Sequence, residues 1–253
     1  MLNVIQNGKA GAPPLLIAHG LFGSARNWGV LSKRLSIDRH IIAVDMRNHA
    51  SSPWFSSNSY HDMATDLAEI IEAQPMPADI IGHSMGGKAA MSLALTRPDL
   101  VRHLVIADIA PVRYDHTQLP LIAAMLSLEL STISSRRDAD EQLRESVPDP
   151  GVRAFLLQSL NLKTQPPSWR FNLEVLAAEM DKIIGFPQFS THFDGPTLFL
   201  SGANSDYVAP AHHAKILTLF PNAQFRQIAD AQHWLHAEKP REFEAEIRAL
   251  LSS

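Results

Sequence analysis

Residues 82–88 read Gly-His-Ser-Met-Gly-Gly-Lys; they follow the apolar run Ala-Asp-Ile-Ile at 78–81 and precede a helix-forming stretch. A Gly-x-Ser-x-Gly motif between a strand and a helix is typical of a nucleophile elbow, a sharp turn that holds a serine hydroxyl clear of the sheet. Gly82 and Gly86 stand two residues either side of Ser84, where a Cβ would clash or an unusual backbone angle is needed. The heptapeptide therefore predicts Ser84 as a nucleophile.

The same residues nearly fit a second motif. From Gly82 to Lys88 the spacing is Gly-x-x-x-x-Gly-Lys, the pattern of a phosphate-binding loop, which also lies between a strand and a helix. That loop next needs a serine or threonine as a ligand of Mg²⁺, and residue 89 is alanine. The missing ligand favours the elbow over nucleotide binding.

Composition narrows the class of protein further. The chain has 253 residues, of which 45% are hydrophobic, and a net charge of −4, which argues against a nucleic-acid partner. It contains no cysteine, so disulfides, thiolate catalysis and cysteine-based metal sites are excluded, and no metal is expected. The N-terminus lacks the basic and apolar regions of a secretory signal, and no apolar run is long enough to span a membrane. We expect a soluble, cytoplasmic protein.

Short apolar runs alternate with helical patterns along most of the chain. Runs of continuous apolar character are typical of parallel strands that are covered on both faces. The predicted strands are 15–18, 41–44, 80–81, 104–107, 197–200 and a weaker 224–228. The predicted helices are 27–35, 60–73, 86–97, 210–219 and 239–251. The alternation predicts an α/β protein with a doubly wound, mostly parallel sheet flanked by helices.

One interval breaks this alternation. From Pro111 to Gly195 there is no convincing strand, and apolar residues recur at helical spacing, for example from Leu173 to Ile184. Such a segment is ordinary helical packing, a lid over the carboxyl ends of the strands, or both at once, because the helices of a lid must also pack against the core.

At this point the chain resembles the α/β-hydrolase superfamily, and more narrowly the small bacterial acyl esterases and the related mitochondrial abhydrolase-domain protein. The matching segments are His-Gly-Leu-Phe-Gly-Ser (19–24), Val-Asp-Met-Arg-Asn-His (44–49), the elbow (82–88), Asp-Ile-Ala-Pro (108–111), Trp-Arg-Phe-Asn-Leu (169–173) and His-Trp-Leu-His-Ala-Glu-Lys-Pro (233–240). The resemblance implies a hydrolase core at 1–110 and 196–253, with a helical cap at 111–195 inserted after the sixth strand.

Two positions depart from that branch, which usually has glycine where this chain has Ala50 and Gln232. If either position needs a positive φ angle, we expect the side chain to strain the loop.

Serine needs a base within hydrogen-bond reach, and the usual chain order in such enzymes is serine, acid, histidine. The resemblance makes His233 the base, with His236 as a competitor three residues later. Two aspartates are candidates for the acid. Asp206 follows the strand at 197–200, the commoner place, whereas the resemblance favours Asp108, one strand earlier.

The same resemblance implies backbone oxyanion donors at Met85, directly after the nucleophile, and at Leu21 in the His19-Gly20-Leu21 loop. Gly20 lets that loop approach closely, and Phe22 is expected to line the substrate pocket together with Gly20.

These features together predict a cofactor-independent serine hydrolase that cleaves short- to medium-chain acyl esters through an acyl-enzyme. Acyl thioesters, including acyl-CoA, are the nearest alternative substrates, and a hydrolase-fold binding protein with weak turnover is the alternative class. The sequence does not fix the natural substrate, the stereopreference or the oligomeric state.

Overall fold

The main sheet has seven strands in the order β1-β3-β2-β4-β5-β8-β9. The structure is a computed structural model and describes residues 1–252. Only β1 runs antiparallel to its neighbour, and every other pair in this sheet is parallel. The strands are β1 (Val4–Asn7), β2 (Pro14–Ala18), β3 (His40–Val44), β4 (Ala78–His83), β5 (Val101–Ala107), β8 (Thr197–Gly202) and β9 (Ala223–Ile228).

Alternate residues of the buried strands pack on opposite faces of the sheet. In β2, Leu16 and Ala18 join one apolar cluster, whereas Leu15 and Ile17 join the other. This follows from the two-residue period of a strand, and it explains why the strand reads as an uninterrupted apolar run. The helices outside the 111–195 interval are α1 (Gly29–Leu35), α2 (Tyr60–Glu72), α3 (Met85–Thr96), α9 (His213–Leu219), α10 (Leu235–Glu238) and α11 (Pro240–Leu251).

The predicted α/β class is confirmed, and all six predicted strands are present. The sequence missed β1, where Gln6 and Asn7 interrupt any apolar run and the residues are mostly half-buried at the sheet edge. Counted in this chain, the strand before the helical interval is the fifth of the sheet, β5.

The interval from 111 to 195 contributes no strand to the main sheet in the part of the chain that the structure describes. It forms α4 (Leu119–Leu126), α5 (Arg136–Leu143), α6 (Pro150–Leu157), α7 (Leu173–Ala178) and α8 (Met180–Ile184), and it includes the two-residue strands β6 (Leu160–Asn161) and β7 (Ser168–Trp169). The expectation of no strand was therefore wrong for this small antiparallel pair. The apolar stripe expected from Leu173 to Ile184 lies on two short helices, because Glu179 ends the first helix and caps the start of the second.

The parallel topology brings several chemically active residues to one edge. His19, Ser84 and Asp108 each follow directly the last residue of β2, β4 and β5, respectively. His233 follows β9 by a short loop. Because the carboxyl ends of parallel strands meet at the same edge, these four side chains can reach one another.

The two departures from the family pattern have different outcomes. Ala50 has a φ of 50°, in the left-handed region that favours glycine, whereas Gln232 is not among the non-glycine residues of positive φ. The backbone at residue 50 therefore adopts a left-handed conformation that glycine favours, whereas the backbone of Gln232, next to His233, does not.

We expect Ala50→Gly to raise the free energy of unfolding by about 0.5–1 kcal/mol, because relief of the left-handed conformation exceeds the added entropy of the unfolded chain. Urea unfolding at neutral pH measures the change. Ala10→Gly is the matched control, since Ala10 is an exposed turn residue without a positive φ, and there glycine should lower stability. A loss of stability in both variants would contradict the prediction.

Candidate active site

The turn between β4 and α3 holds Ser84 in a strained backbone conformation, with a φ of 52° and a ψ of −120°. Tight packing of glycines forces this geometry. A Cβ on Gly82 would lie 2.5 Å from the Gly86 carbonyl oxygen, and a Cβ on Gly86 would lie 2.4 Å from that of Ala18. Neither glycine has a positive φ, so both are needed for close approach and not for an unusual backbone angle.

His233 is hydrogen-bonded to Asp108 and not to Asp206. The Nδ1 atom of His233 lies 2.8 Å from Oδ2 of Asp108, a fully buried carboxylate. The Gly202 N–H and the Ser205 hydroxyl also donate to Asp108, at 3.2 and 2.5 Å. Asp206 is exposed and makes no hydrogen bond with His233. The loop after β8 thus contributes the Ser205 hydroxyl as a donor to Asp108, and its Asp206 does not reach the imidazole.

The imidazole of His233 is held between two other rings. Tyr207 stacks on it with ring centroids 4.1 Å apart, and the Tyr207 hydroxyl lies 2.8 Å from Nε2 of His116. On the other side lies His83, whose ring centroid is 4.7 Å away and whose Nε2–H donates to the His233 carbonyl at 2.8 Å.

The competing histidine, His236, lies beside His83 but makes no hydrogen bond with either candidate acid in the described part of the chain. It stacks on Trp28 at 4.2 Å, and its Nδ1 is buried without a hydrogen-bond partner. It has no contact with either candidate acid. Of these two histidines, only His233 reaches a carboxylate.

No hydrogen bond joins Ser84 to His233, although both line the same cavity. Such contacts are often loose in the absence of substrate and tighten in the complex. Because Nδ1 of His233 is engaged with Asp108, Nε2 is the nitrogen left to accept a proton.

Two backbone N–H groups beside Ser84 make no hydrogen bond within the described part of the chain, those of Leu21 and Met85. Met85 is the first residue of α3, where an N–H has no partner inside the helix. His19 fixes the loop that carries Leu21, since its Nδ1–H donates to the Gly20 carbonyl at 2.8 Å and its Nε2 accepts from the Met46 N–H at 2.9 Å. A Cβ on Gly20 would lie 3.1 Å from that of Ser84, so glycine allows the close approach.

The cavity at Ser84 has a volume of about 330 Å³ and is mostly apolar. The loop after β2 contributes Gly20, Leu21 and Phe22, and Phe22 is itself buried against Phe171. The interval from 111 to 195 supplies seven aliphatic or aromatic residues of the remaining wall, namely Leu121, Val152, Phe155, Leu156, Met180, Ile183 and Ile184. The shape suits an apolar chain that enters beside Ser84.

Several histidines around the site are buried and neutral. Burial lowers the pKa of His19 to about 4 and that of His236 to about 3. For His83, burial and then the neighbouring His236 and His233 place the pKa well below its ordinary value. The neutral form suits His19, whose Nε2 must accept a hydrogen bond.

Lys88, the lysine of the alternative phosphate-binding pattern, is used elsewhere. Its ammonium donates to the carbonyls of Ile184 and Gly185, at 2.9 and 2.6 Å. Among residues 1–252 no cluster of three or more His, Asp or Glu side chains is arranged to hold a metal ion. No helix there is long and apolar enough to cross a membrane.

Comparison with known proteins identifies one family. Residues 15–246 match the model of the alpha/beta hydrolase family. The chain is 42% identical to the sn-1-specific diacylglycerol lipase ABHD11 of Mus musculus, over 97% of this chain and 83% of that protein. It is 41% identical to the esterase YbfF of Escherichia coli K12, over 94% of this chain and 91% of that protein. A solved marine microorganism esterase superposes with a TM-score of 0.94 at 34% identity, covering 98% of both chains.

The buried histidines predict a specific loss of stability with acid. Their folded pKa values lie below the 6.5 of an unfolded histidine, so the unfolded chain binds more protons between about pH 4 and 6.5. The free energy of unfolding should therefore fall as the pH drops through this window, by up to about 1.4 kcal/mol per pH unit for each such histidine. Urea unfolding between pH 5 and 7.5 measures the slope.

His236→Phe keeps the ring but removes one titrating group, so the slope should become shallower. His61→Gln, a change at an exposed histidine, is the control and should leave the slope as it is. An unchanged slope in His236→Phe would show that His236 is protonated alike in both states.

Proposed function

The chain belongs to the alpha/beta hydrolase family, and we propose that it is a serine esterase in which Ser84 is the nucleophile, His233 the base and Asp108 the acid. The observation that carries this assignment is the 2.8 Å hydrogen bond between His233 and a buried Asp108, beside a strained Ser84 in the same cavity. The esterase and lipase names of the relatives support the same class of reaction.

The proposed reaction has two halves. Ser84 Oγ attacks the ester carbonyl while Nε2 of His233 takes its proton, and the alcohol then leaves with that proton. Water attacks the resulting acyl-enzyme with His233 again as base, which releases the carboxylic acid and free Ser84. Asp108 holds the imidazole in the tautomer that leaves Nε2 free and stabilises the imidazolium; it does not take the proton.

The N–H groups of Leu21 and Met85 are the proposed oxyanion donors. Both are free of protein acceptors and flank Ser84, as a negative charge that develops on the carbonyl oxygen requires. His19 then acts as a positioning residue, because it fixes the Gly20 carbonyl on one side and accepts from Met46 on the other.

We further propose that residues 111–195 act as a cap on a hydrolase core formed by residues 1–110 and 196–253. Helices α4, α6 and α8 of this interval line the cavity, so they face the acyl chain of a bound ester. A cavity of about 330 Å³ favours acyl chains of short to medium length. Acyl thioesters differ only in the leaving group, and an assay panel that includes acyl-CoA separates the two substrate classes.

Ser84→Ala should abolish hydrolysis of p-nitrophenyl butyrate, by at least about 10³-fold, and labelling by a fluorophosphonate. Ser92→Ala is the matched control on the same helix, since the Ser92 hydroxyl is buried without a hydrogen-bond partner, and it should keep both properties. Labelling that persists in Ser84→Ala would assign the nucleophile to another serine. A wild-type chain that neither reacts nor turns over would favour a binding protein of this fold.

Asp108→Asn should lower kcat far more than Asp206→Asn, by up to about 10⁴-fold, because an amide at 108 stabilises the wrong tautomer of His233. Asp206 is exposed and serves as the control. Urea unfolding of both variants must first show that each is folded. If Asp206→Asn were the crippled enzyme, the acid would come from the loop after β8.

A further inference from the structure

The carboxyl-terminal end of α8 is held by three hydrogen-bond donors from outside the helix. The Tyr60 hydroxyl on α2 donates to the Ile183 carbonyl at 2.6 Å. The Lys88 ammonium on α3 donates to the carbonyls of Ile184 and Gly185, and the Tyr114 N–H donates to that of Ile184 at 3.0 Å. These bonds take up carbonyls that the end of a helix leaves without partners.

Lys88 is an unusual donor for the end of a helix because its side chain is buried. The residue is 1% exposed, and no carboxylate in residues 1–252 lies within 4.0 Å of its ammonium. Its Nζ lies 4.8 Å from the ring centroid of Tyr114 and 5.7 Å from that of Tyr60. Burial lowers the pKa of Lys88 to about 7. A buried charge without an opposite charge is costly, so the carbonyls and ring faces must stay in place around it.

The helix that Lys88 holds forms part of the cavity wall. Met180, Ile183 and Ile184 of α8 line the cavity together with Ser84, and Lys88 and Tyr60 line it beside them. Lys88 also stands one turn after the nucleophile on α3, since its own N–H donates to the Ser84 carbonyl at 3.1 Å. The same helix, α3, therefore has Ser84 at its start and carries Lys88, which binds the end of α8.

We propose that Lys88 determines acyl-chain specificity by fixing the α8 wall at a set distance from Ser84. The proposal rests on the esterase function proposed above and assigns a positioning role to Lys88, with no contact to the reacting atoms. Without the ammonium, the Gly185 carbonyl loses its donor and the Ile184 carbonyl keeps only the Tyr114 N–H, so the wall can move away from the cavity. Longer acyl chains then enter at lower cost, while the triad keeps its geometry.

Measurement of kcat/KM for p-nitrophenyl esters from acetate to laurate tests the proposal. Wild-type specificity should rise with chain length and then drop where the wall is reached. In Lys88→Met, which keeps an unbranched side chain one atom shorter and removes the ammonium donors, the drop should move to longer chains. Specificity for each added methylene that then fits should gain about fourfold, while acetate turnover stays near wild type.

A second variant covers the case in which Lys88→Met does not fold. Tyr60→Phe removes only the hydroxyl that donates to Ile183, and it should move the drop in the same direction. Asp181→Asn is the control, because it removes the exposed ion pair between Asp181 and Arg113 at the start of the same helix. It should leave the profile unchanged.

The outcomes separate the two proposals. A drop at the same chain length in both folded variants, or a loss of activity that is equal for every ester, overturns the role of Lys88 and leaves the esterase assignment standing. A wild-type chain that hydrolyses no ester of the series overturns the esterase assignment itself.

Discussion

The contact between the β4 end and the α3 start is the constraint on which the rest of the site depends. Gly82 and Gly86 approach each other and the end of β2 so closely that no side chain fits at either position. The chain can make this contact only if Ser84, between them, adopts a φ of 52°. The packing of the buried strands and of α3 around the turn offsets that strain. As a result, the Ser84 side chain lines the cavity.

The order of strands in the sheet decides what meets this hydroxyl. Because β4, β5, β8 and β9 are neighbours, Asp108, the Ser205–Tyr207 loop and His233 follow successive strands at one edge. Asp108 holds the imidazole through Nδ1, Tyr207 stacks on the ring, and the tilted ring of His83 lies 4.7 Å away. His83 also donates to the backbone carbonyl of His233. An imidazole held in this way needs little reorganisation before it accepts a proton, as the proposed role of His233 requires.

The fold was largely readable because its signals are local. Buried parallel strands require continuous apolar runs, and the helices between them carry an apolar stripe, so both are visible within short windows. The edge strand β1 lacks such a run, because half of its surroundings are solvent, and the two-residue strands β6 and β7 are too short to show a period. The break of the Leu173–Ile184 stripe at Glu179 was likewise invisible in its spacing.

The sequence by itself indicated Ser84 as the candidate nucleophile, His233 as the candidate base and the interval 111–195 as mainly helical. A glycine-flanked serine, a histidine after the last strand and a helical spacing of apolar residues are properties of contiguous residues. Only the tertiary structure decided that His233 meets Asp108 while Asp206 remains in solvent, that Tyr207 and His83 enclose the imidazole, and that Lys88 binds the end of α8. Each of these contacts joins segments far apart in the chain, and their geometry is set by strand order and backbone angles. No local pattern of residue types carries that information.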